Sequence, residues 1–156
     1  MKTVIRFAFV AMLLIAVGCS QLHTADSTVQ TIPVMAYDAH APAEPTELAV
    51  LWTSGDPEVA HRVALMYTHA AKTAGWYKDV RLIVWGPSSR LLAADKDLQA
   101  KVKEMMEDGV VVQACIVCAK SYGVVEQLRG LGIEVLPYGK PLTKLSKDPT
   151  VTLMTF

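Results

Sequence analysis

Two cysteines, Cys115 and Cys118, are the residues of this chain best suited to chemistry. They follow the apolar run at residues 110–114, where we expect a strand to end and a helix to begin. At positions i and i+3 of a helix, both side chains lie on one face of the first turn, close enough to form a disulfide. The positive end of the helix stabilises a thiolate at the strand end, so we expect the pKa of the Cys115 thiol to lie below the usual value of about 8.5.

The cysteine pair has three other interpretations: core residues, a metal site or a thiol-disulfide exchanger. Both thiols could be small buried core residues. A closed zinc site needs four ligands, and the sequence has neither a second CxxC motif nor a matching spacing among His23, His40, His61 and His69. We expect the two helical histidines, His61 and His69, to be exposed. A thioredoxin-like exchanger would share the CxxC motif, but no aromatic residue stands directly before Cys115. We therefore expect no metal and no cofactor.

The elements that position these cysteines are short β-rich runs alternating with longer amphipathic runs. Strands are predicted at residues 48–53, 80–85, 110–114, 133–136 and 151–156. Helices are predicted from Pro57 to about residue 74, over 95–107 and over 118–129, with Asp56 as an N-cap and residues 86–89 as a break. This alternation predicts an α/β fold: a three-layer α/β/α sandwich with a five-stranded, mainly parallel sheet.

Charge and glycine spacing exclude several classes of function. The chain has 15 Lys and Arg against 15 Asp and Glu, so its formal charge of zero gives no reason to expect nucleic-acid binding. Gly55 and Gly86 are single glycines without the spacing of a nucleotide-binding loop. Lys140, Lys144 and Lys147 are expected to form a solvated basic surface.

The first nineteen residues have the pattern of a bacterial export signal. Lys2 and Arg6 precede an apolar run at residues 7–17, which is too short to cross a bilayer. Small residues precede Cys19 as in a lipobox, so residues 1–18 are predicted to be a lipoprotein signal peptide and Cys19 the lipidation site. The alternative is an ordinary secreted protein cut near Gly18.

The predicted mature chain begins with the lipidated Cys19 and a flexible tether over residues 19–46, followed by one domain over residues 47–156. Ser20 replaces the aspartate associated with inner-membrane retention, which favours the outer membrane. We therefore expect a lipid-anchored protein of the bacterial cell envelope with its domain facing the periplasm.

Segments throughout the predicted domain resemble the DsrE/DsrF-like family. The most specific is Ala-Cys-Ile-Val-Cys-Ala at residues 114–119, followed by Tyr-Gly-Val at residues 122–124. The resemblance implies a five-stranded parallel sheet, frequent homo-oligomers and sulfur transfer, with a cysteine at this strand end carrying a persulfide. By position, Cys115 would be the sulfur carrier and Cys118 an auxiliary or resolving thiol.

Two classes of function remain open. The first is a thiol-active, sulfurtransferase-like carrier whose partner is a sulfur donor or acceptor protein or a small sulfur species. If Cys118 attacked a Cys115 persulfide, sulfide would be released and a disulfide would close, giving a redox protein instead of a carrier. The second class is a non-catalytic, membrane-anchored interaction or assembly module.

Overall fold

A computed structural model describes residues 44–156. The predicted signal peptide, Cys19 and most of the predicted tether lie outside the described residues. In the described part of the chain, no helix has the length and apolar character needed to span a bilayer. The strands of this part are β1 (Glu47–Trp52), β2 (Asp79–Val84), β3 (Val111–Cys115), β4 (Glu134–Leu136) and β5 (Val151–Thr155).

The five strands form one sheet in the order β4-β3-β2-β1-β5, and every neighbouring pair is parallel. This confirms the predicted α/β fold with a five-stranded parallel sheet. Each strand begins and ends within about one residue of its predicted bounds, because short runs of β-branched and aliphatic residues identify buried parallel strands well.

Helices connect the strands. They are α1 (Pro57–Val59), α2 (Leu65–Thr73), α3 (Pro87–Ala94), α4 (Lys96–Glu107), α5 (Ile116–Ser121), α6 (Val125–Gly130) and α7 (Gly139–Leu145). A π-helical segment, Ala60–Ala64, joins α1 to α2, so the helix predicted from Pro57 is continuous. Asp56 caps it as predicted, because its Oδ1 accepts hydrogen bonds from the backbone N–H groups of Glu58 and Val59 at 2.7 and 3.3 Å.

The helices differ from the prediction at three places. Residues 86–89 are not only a break, since α3 begins there with Pro87 in its first turn, a position that needs no N–H donor. The helix α7 was not predicted. The single helix expected over 118–129 begins earlier, at Ile116, and is divided by Gly123, whose φ of 68° is incompatible with a right-handed helix.

The crossovers place the helices unequally on the two sheet faces. Connections from β1 to β4 all step in one direction, and right-handed crossovers put their helices on one face, which we call the first face. The large core there includes side chains of α2 to α6. The chain then returns from β4 to β5 across the whole sheet, so α7 lies on the second face. The second helical layer of the described domain is therefore one seven-residue helix.

The second face is only partly covered. Around α7, a small cluster buries Ala49, Ile83, Cys115 and Tyr138. Beyond it lies a second-face strip, defined here as the half-buried side chains of Leu51, Trp85, Val151 and Leu153. Parallel sheets normally have both faces covered, so this strip is an unusual surface for an isolated domain.

Candidate thiol site

The structure places the two cysteines at the carboxyl end of β3, as predicted. Cys115 is the last residue of that strand and the N-cap of α5, and Cys118 lies in the first turn of α5. Both thiols are free. Their exposure differs, because Cys115 is only 3% exposed whereas Cys118 is intermediate. The implied sulfur carrier, Cys115, is therefore covered, and Cys118 is the cysteine that solvent reaches.

The environment of Cys118 does not lower its pKa. Burial raises the pKa of the Cys118 thiol above its ordinary value, and a hydrogen bond with Cys115 and the charge of Cys115 raise it further. Backbone hydrogen bonds from Gly86 and from Cys118 itself act in the opposite direction but are outweighed. At Cys118, desolvation therefore exceeds the stabilisation that amide donors provide at the start of a six-residue helix.

The start of α3 forms one side of the thiol site. Ser88 is fully buried, and its Oγ donates to the Trp52 carbonyl oxygen at 2.6 Å and accepts from the Trp85 N–H at 3.0 Å. These bonds tie the ends of β1 and β2 to the first turn of α3. Gly86, directly before α3, adopts a positive φ of 65°, and its backbone N–H opposes the rise in the pKa of Cys118.

The sheet's topological switch point, between β1 and β5, is a separate place from the thiols. Ligands of open α/β sheets favour that position. Here Thr53 Oγ1 donates to the Phe156 carbonyl oxygen at 2.8 Å, and the N–H groups of Thr53 and Ser54 also donate to it. The chain's own Phe156 therefore uses the donors at the switch point.

A polar network on the second face was missed by the sequence analysis. Arg81 donates from Nε to Glu47 at 2.9 Å and from one Nη to the Gln113 Oε1 at 2.8 Å. The Tyr138 hydroxyl donates to the same oxygen at 2.9 Å, and the Gln113 amide nitrogen donates to Glu134. The available signal was a polar residue within, or directly before, each of four otherwise apolar β runs.

This network lies close to Cys115. Gln113 and Cys115 are two residues apart on β3 and so point to the same sheet face, about 7 Å apart along the strand. Burial raises the pKa of the Tyr138 hydroxyl, while the nearby Arg81 charge opposes that change. The Tyr138 side chain thus packs in the cluster that buries Cys115 and hydrogen-bonds to the network at its hydroxyl.

One histidine expected to be exposed belongs to a second polar cluster. The His69 side chain is only 13% exposed, and its Nε2 lies 2.6 Å from the Asp108 Oδ2. His69, Glu104 and Asp108 each offer a donor atom within 4.8 Å of the others, as metal ligands would. However, the Lys101 Nζ lies 2.7 Å from His69 Nδ1 and 2.9 Å from Glu104. An ammonium group therefore already provides the positive charge, and the cluster connects α2 to α4.

Comparisons with known proteins agree with this architecture. A conserved protein of unknown function from Bacteroides thetaiotaomicron, BT1422, is 32% identical, with a TM-score of 0.68 over 71% of this chain and 95% of that one. The ychN protein from E. coli shares the fold at 15% identity, with a TM-score of 0.55 over 72% of this chain and 99% of that one. No curated protein matches the chain. Residues 47–148 match the family described as DsrE/DsrF-like, and this chain belongs to that family.

Proposed function

We propose that this protein handles sulfane sulfur through Cys115 and Cys118. Family membership supports a sulfur-relay type of domain. The observation that carries the proposal is the pairing of two free thiols at the carboxyl end of a central strand, one buried and one partly exposed. A pair arranged in this way is able to receive sulfur at one thiol and hold or release it at the other.

Exposure assigns the order of the two steps. Cys118 is the thiol that an incoming donor reaches, and Cys115 lies behind it among Ile83, Leu136 and Tyr138. A persulfide on an exposed residue is open to attack by other thiols, whereas one in a covered position is protected. We therefore keep Cys115 as the sulfur carrier and give Cys118 the receiving role.

The chemistry requires no cofactor. The Cys118 thiolate attacks the terminal sulfur of a donor persulfide; a new S–S bond forms, the donor S–S bond breaks, and the donor leaves as a thiolate. The Cys115 thiolate then attacks the outer sulfur of the Cys118 persulfide, which moves that sulfur to Cys115 and frees the Cys118 thiolate. Each thiol proton goes to solvent. Neither transfer changes the total oxidation state of the pair and its sulfur.

A second outcome of the same geometry is redox exchange. If Cys115 attacks the inner sulfur, the Cys118 Sγ, the cysteines close to a disulfide and hydrosulfide leaves. The sulfane sulfur is then reduced by two electrons while the pair is oxidised. The product after one turnover distinguishes the carrier from this thiol-disulfide redox alternative.

The test is intact and peptide mass spectrometry of the reduced, folded protein after exposure to inorganic polysulfide. We expect one added sulfur atom on Cys115 in the wild type, an adduct confined to Cys118 in Cys115→Ser, and a slower adduct on Cys115 in Cys118→Ser. A wild-type disulfide with released sulfide would identify the redox alternative. If neither cysteine gains sulfur, sulfur handling by this pair is ruled out.

A non-catalytic interaction module is the second candidate. The second-face strip favours it, because contiguous apolar surface on a sheet is typical of a docking or oligomer interface. We propose a second copy of this chain as the partner, giving a homo-oligomer. If the module has no thiol chemistry, both cysteines resist alkylation in the native protein and react only after denaturation.

We also propose, from the sequence alone, that lipid on Cys19 anchors the domain to the bacterial envelope, facing the periplasm, on the outer membrane in preference to the inner. Expression in a bacterial host with a radiolabelled fatty acid tests this. We expect the wild-type protein to incorporate the label and to be recovered in the membrane fraction. Cys19→Ser should lose both the label and the membrane association. A wild-type protein that is exported without label would contradict the anchor.

A further inference from the structure

A cavity of about 340 Å³ lies on the second face between the sheet and α7. Its sheet side presents Glu47, Arg81 and Gln113, and its helical side presents Lys144 and Asp148. This volume falls at the lower end of the range for small-molecule sites, ~300–1,000 Å³. The cavity is distinct from the thiols, although Leu136, which lines it, is the β4 partner of Cys115 in the strand register.

The Gln113 amide oxygen and one oxygen of each carboxylate around this cavity are already in use. Glu47 Oε1 accepts from Arg81, and Gln113 Oε1 accepts from both Arg81 and Tyr138. Asp148 Oδ1 accepts from the backbone N–H of Thr150 at 3.0 Å and from its hydroxyl at 2.7 Å. Within residues 44–156, a cationic ligand would find only Glu47 Oε2 and Asp148 Oδ2 without a hydrogen bond, and Arg81 and Lys144 already offset the charges of these carboxylates.

The donors are not fully used. The Arg81 guanidinium hydrogen-bonds through Nε and one Nη, and its other Nη makes no hydrogen bond to any residue of the described domain. Lys144 forms no ion pair within 4.0 Å in residues 44–156. A guanidinium edge presents N–H groups that match a carboxylate or a similar oxyanion. The unused N–H groups of Arg81 and Lys144 outnumber the two unused carboxylate oxygens, so the remaining hydrogen-bonding capacity of this cavity favours an anion.

Apolar side chains complete the cavity. Leu136, Pro141 and Leu145 line it beside the charged groups. An inorganic anion would leave these side chains uncontacted, whereas a short hydrocarbon chain would bury them. We propose that this cavity binds a small organic anion, a carboxylate or sulfonate on a short aliphatic chain, with Arg81 and Lys144 as its charged partners. The proposal does not depend on sulfur chemistry at the cysteines.

The test is titration of the full chain by NMR, following the Arg81 Nε–H and the Gln113 side-chain amide. The probes are butyrate and propane-1-sulfonate, with butylammonium as the cationic control and inorganic sulfate as the control without a hydrocarbon chain. We expect saturable shifts of both signals with the two organic anions at millimolar concentration and none with butylammonium. Sulfate shifting them with the same affinity would overturn the role of the apolar wall.

Two matched lysine variants test whether the positive charge of Lys144 strengthens binding of the anion. Lys144 lines the cavity, and Lys140 is an exposed lysine on the same helix that does not. We expect Lys144→Met to weaken binding about two- to fivefold, as loss of an exposed ion pair would, and Lys140→Met to leave it unchanged. Equal effects of the two variants, or no saturable shift in the wild type, would refute the site.

A cysteine variant separates this site from the proposed thiol function. Cys115→Ser should keep the saturable shifts at Arg81 and Gln113 while losing sulfur loading at residue 115. Loss of binding in a folded Cys115→Ser protein would instead show that the anion signal depends on the thiol, and the independent site would be rejected.

Discussion

Cys115 and Cys118 are close in sequence but occupy different environments. Cys115 still belongs to β3, so its side chain points into the second-face cluster beneath Tyr138. Cys118 lies in the first turn of α5 and packs against that cluster from a partly exposed position, near Gly86. The spacing in the sequence predicted the pair and its place at the strand end. It could not predict which thiol is covered, because Tyr138 comes from a distant part of the chain.

The raised pKa of Cys118 predicts how its reactivity depends on pH. A thiol reacts as its thiolate, so a raised pKa moves the increase in alkylation rate to higher pH. We expect Cys118 to be alkylated by iodoacetamide before Cys115 in the native protein, with a rate still increasing above pH about 8.5. Peptide mass spectrometry after short pulses measures both rates. A plateau below that pH, or faster labelling of Cys115, would contradict the assignment.

Adjacent serines at the start of α3 provide a matched test of buried polar contacts. Ser88 Oγ bonds to Trp52 and Trp85, whereas Ser89 Oγ is buried without a hydrogen-bond partner among residues 44–156. We expect Ser88→Ala to lower the free energy of unfolding by about 1 kcal/mol or more. Ser89→Ala should leave it unchanged or raise it, by up to ~1 kcal/mol. Urea denaturation measures both, and equal destabilisation would refute this distinction.

At the scale of elements, prediction succeeded where a segment's own periodicity decides its structure. The strands and α4 were predicted from apolar runs and spacing. The helices α3 and α7 were missed because Gly86, Pro87 and Pro141 favour a loop when read locally. In the folded protein, Pro87 occupies the first turn of α3, and Leu142 and Leu145 bind α7 to the second face. Tertiary burial stabilises these short helices.

Gly123 separates α5 from α6, and its replacement tests that division. At a φ of 68°, an alanine is strained whatever space surrounds it. We expect Gly123→Ala to lower the free energy of unfolding by about 1–2 kcal/mol. Gly130, the last residue of α6, has a helical conformation, and a methyl group on its Cα would meet no neighbouring side chain within 4 Å, so Gly130→Ala should be neutral or stabilising. Thermal and urea unfolding measure the stability of the two variants. If the helix were continuous through residue 123, Gly123→Ala would be no more destabilising than Gly130→Ala.

At the scale of the whole molecule, the strand order explains both candidate sites. A single direction of crossover from β1 to β4 places most helices on the first face and leaves the second face to α7. The thiol pair, the polar network and the second-face strip all result from that asymmetry. The sequence predicted the cysteine site because it depends on one strand end. It did not reveal the cavity, because Glu47, Arg81 and Gln113 come together only through the register of three strands.

The second-face strip predicts self-association. Covering half-buried aliphatic and aromatic side chains with a second copy removes apolar surface from water, which stabilises the assembly. A twofold pair would bring the same surface of each copy together. We expect sedimentation velocity to show an oligomer for the wild type. Leu153→Glu, which puts a charge in the strip on edge strand β5, should shift it toward the monomer.

Met66→Glu is the matched control for that variant. Met66 is 57% exposed on α2, in the opposite layer, so a charge there should leave the assembly intact. Circular dichroism must show that both variants remain folded, and Leu153→Ser supplies a milder change if the glutamate unfolds the domain. A monomeric wild type at micromolar concentration, or equal dissociation by Met66→Glu, would show that the strip is not the contact. Because the strip and Cys118 pack against the same second-face cluster, a confirmed interface would also place Cys118 near the boundary between copies.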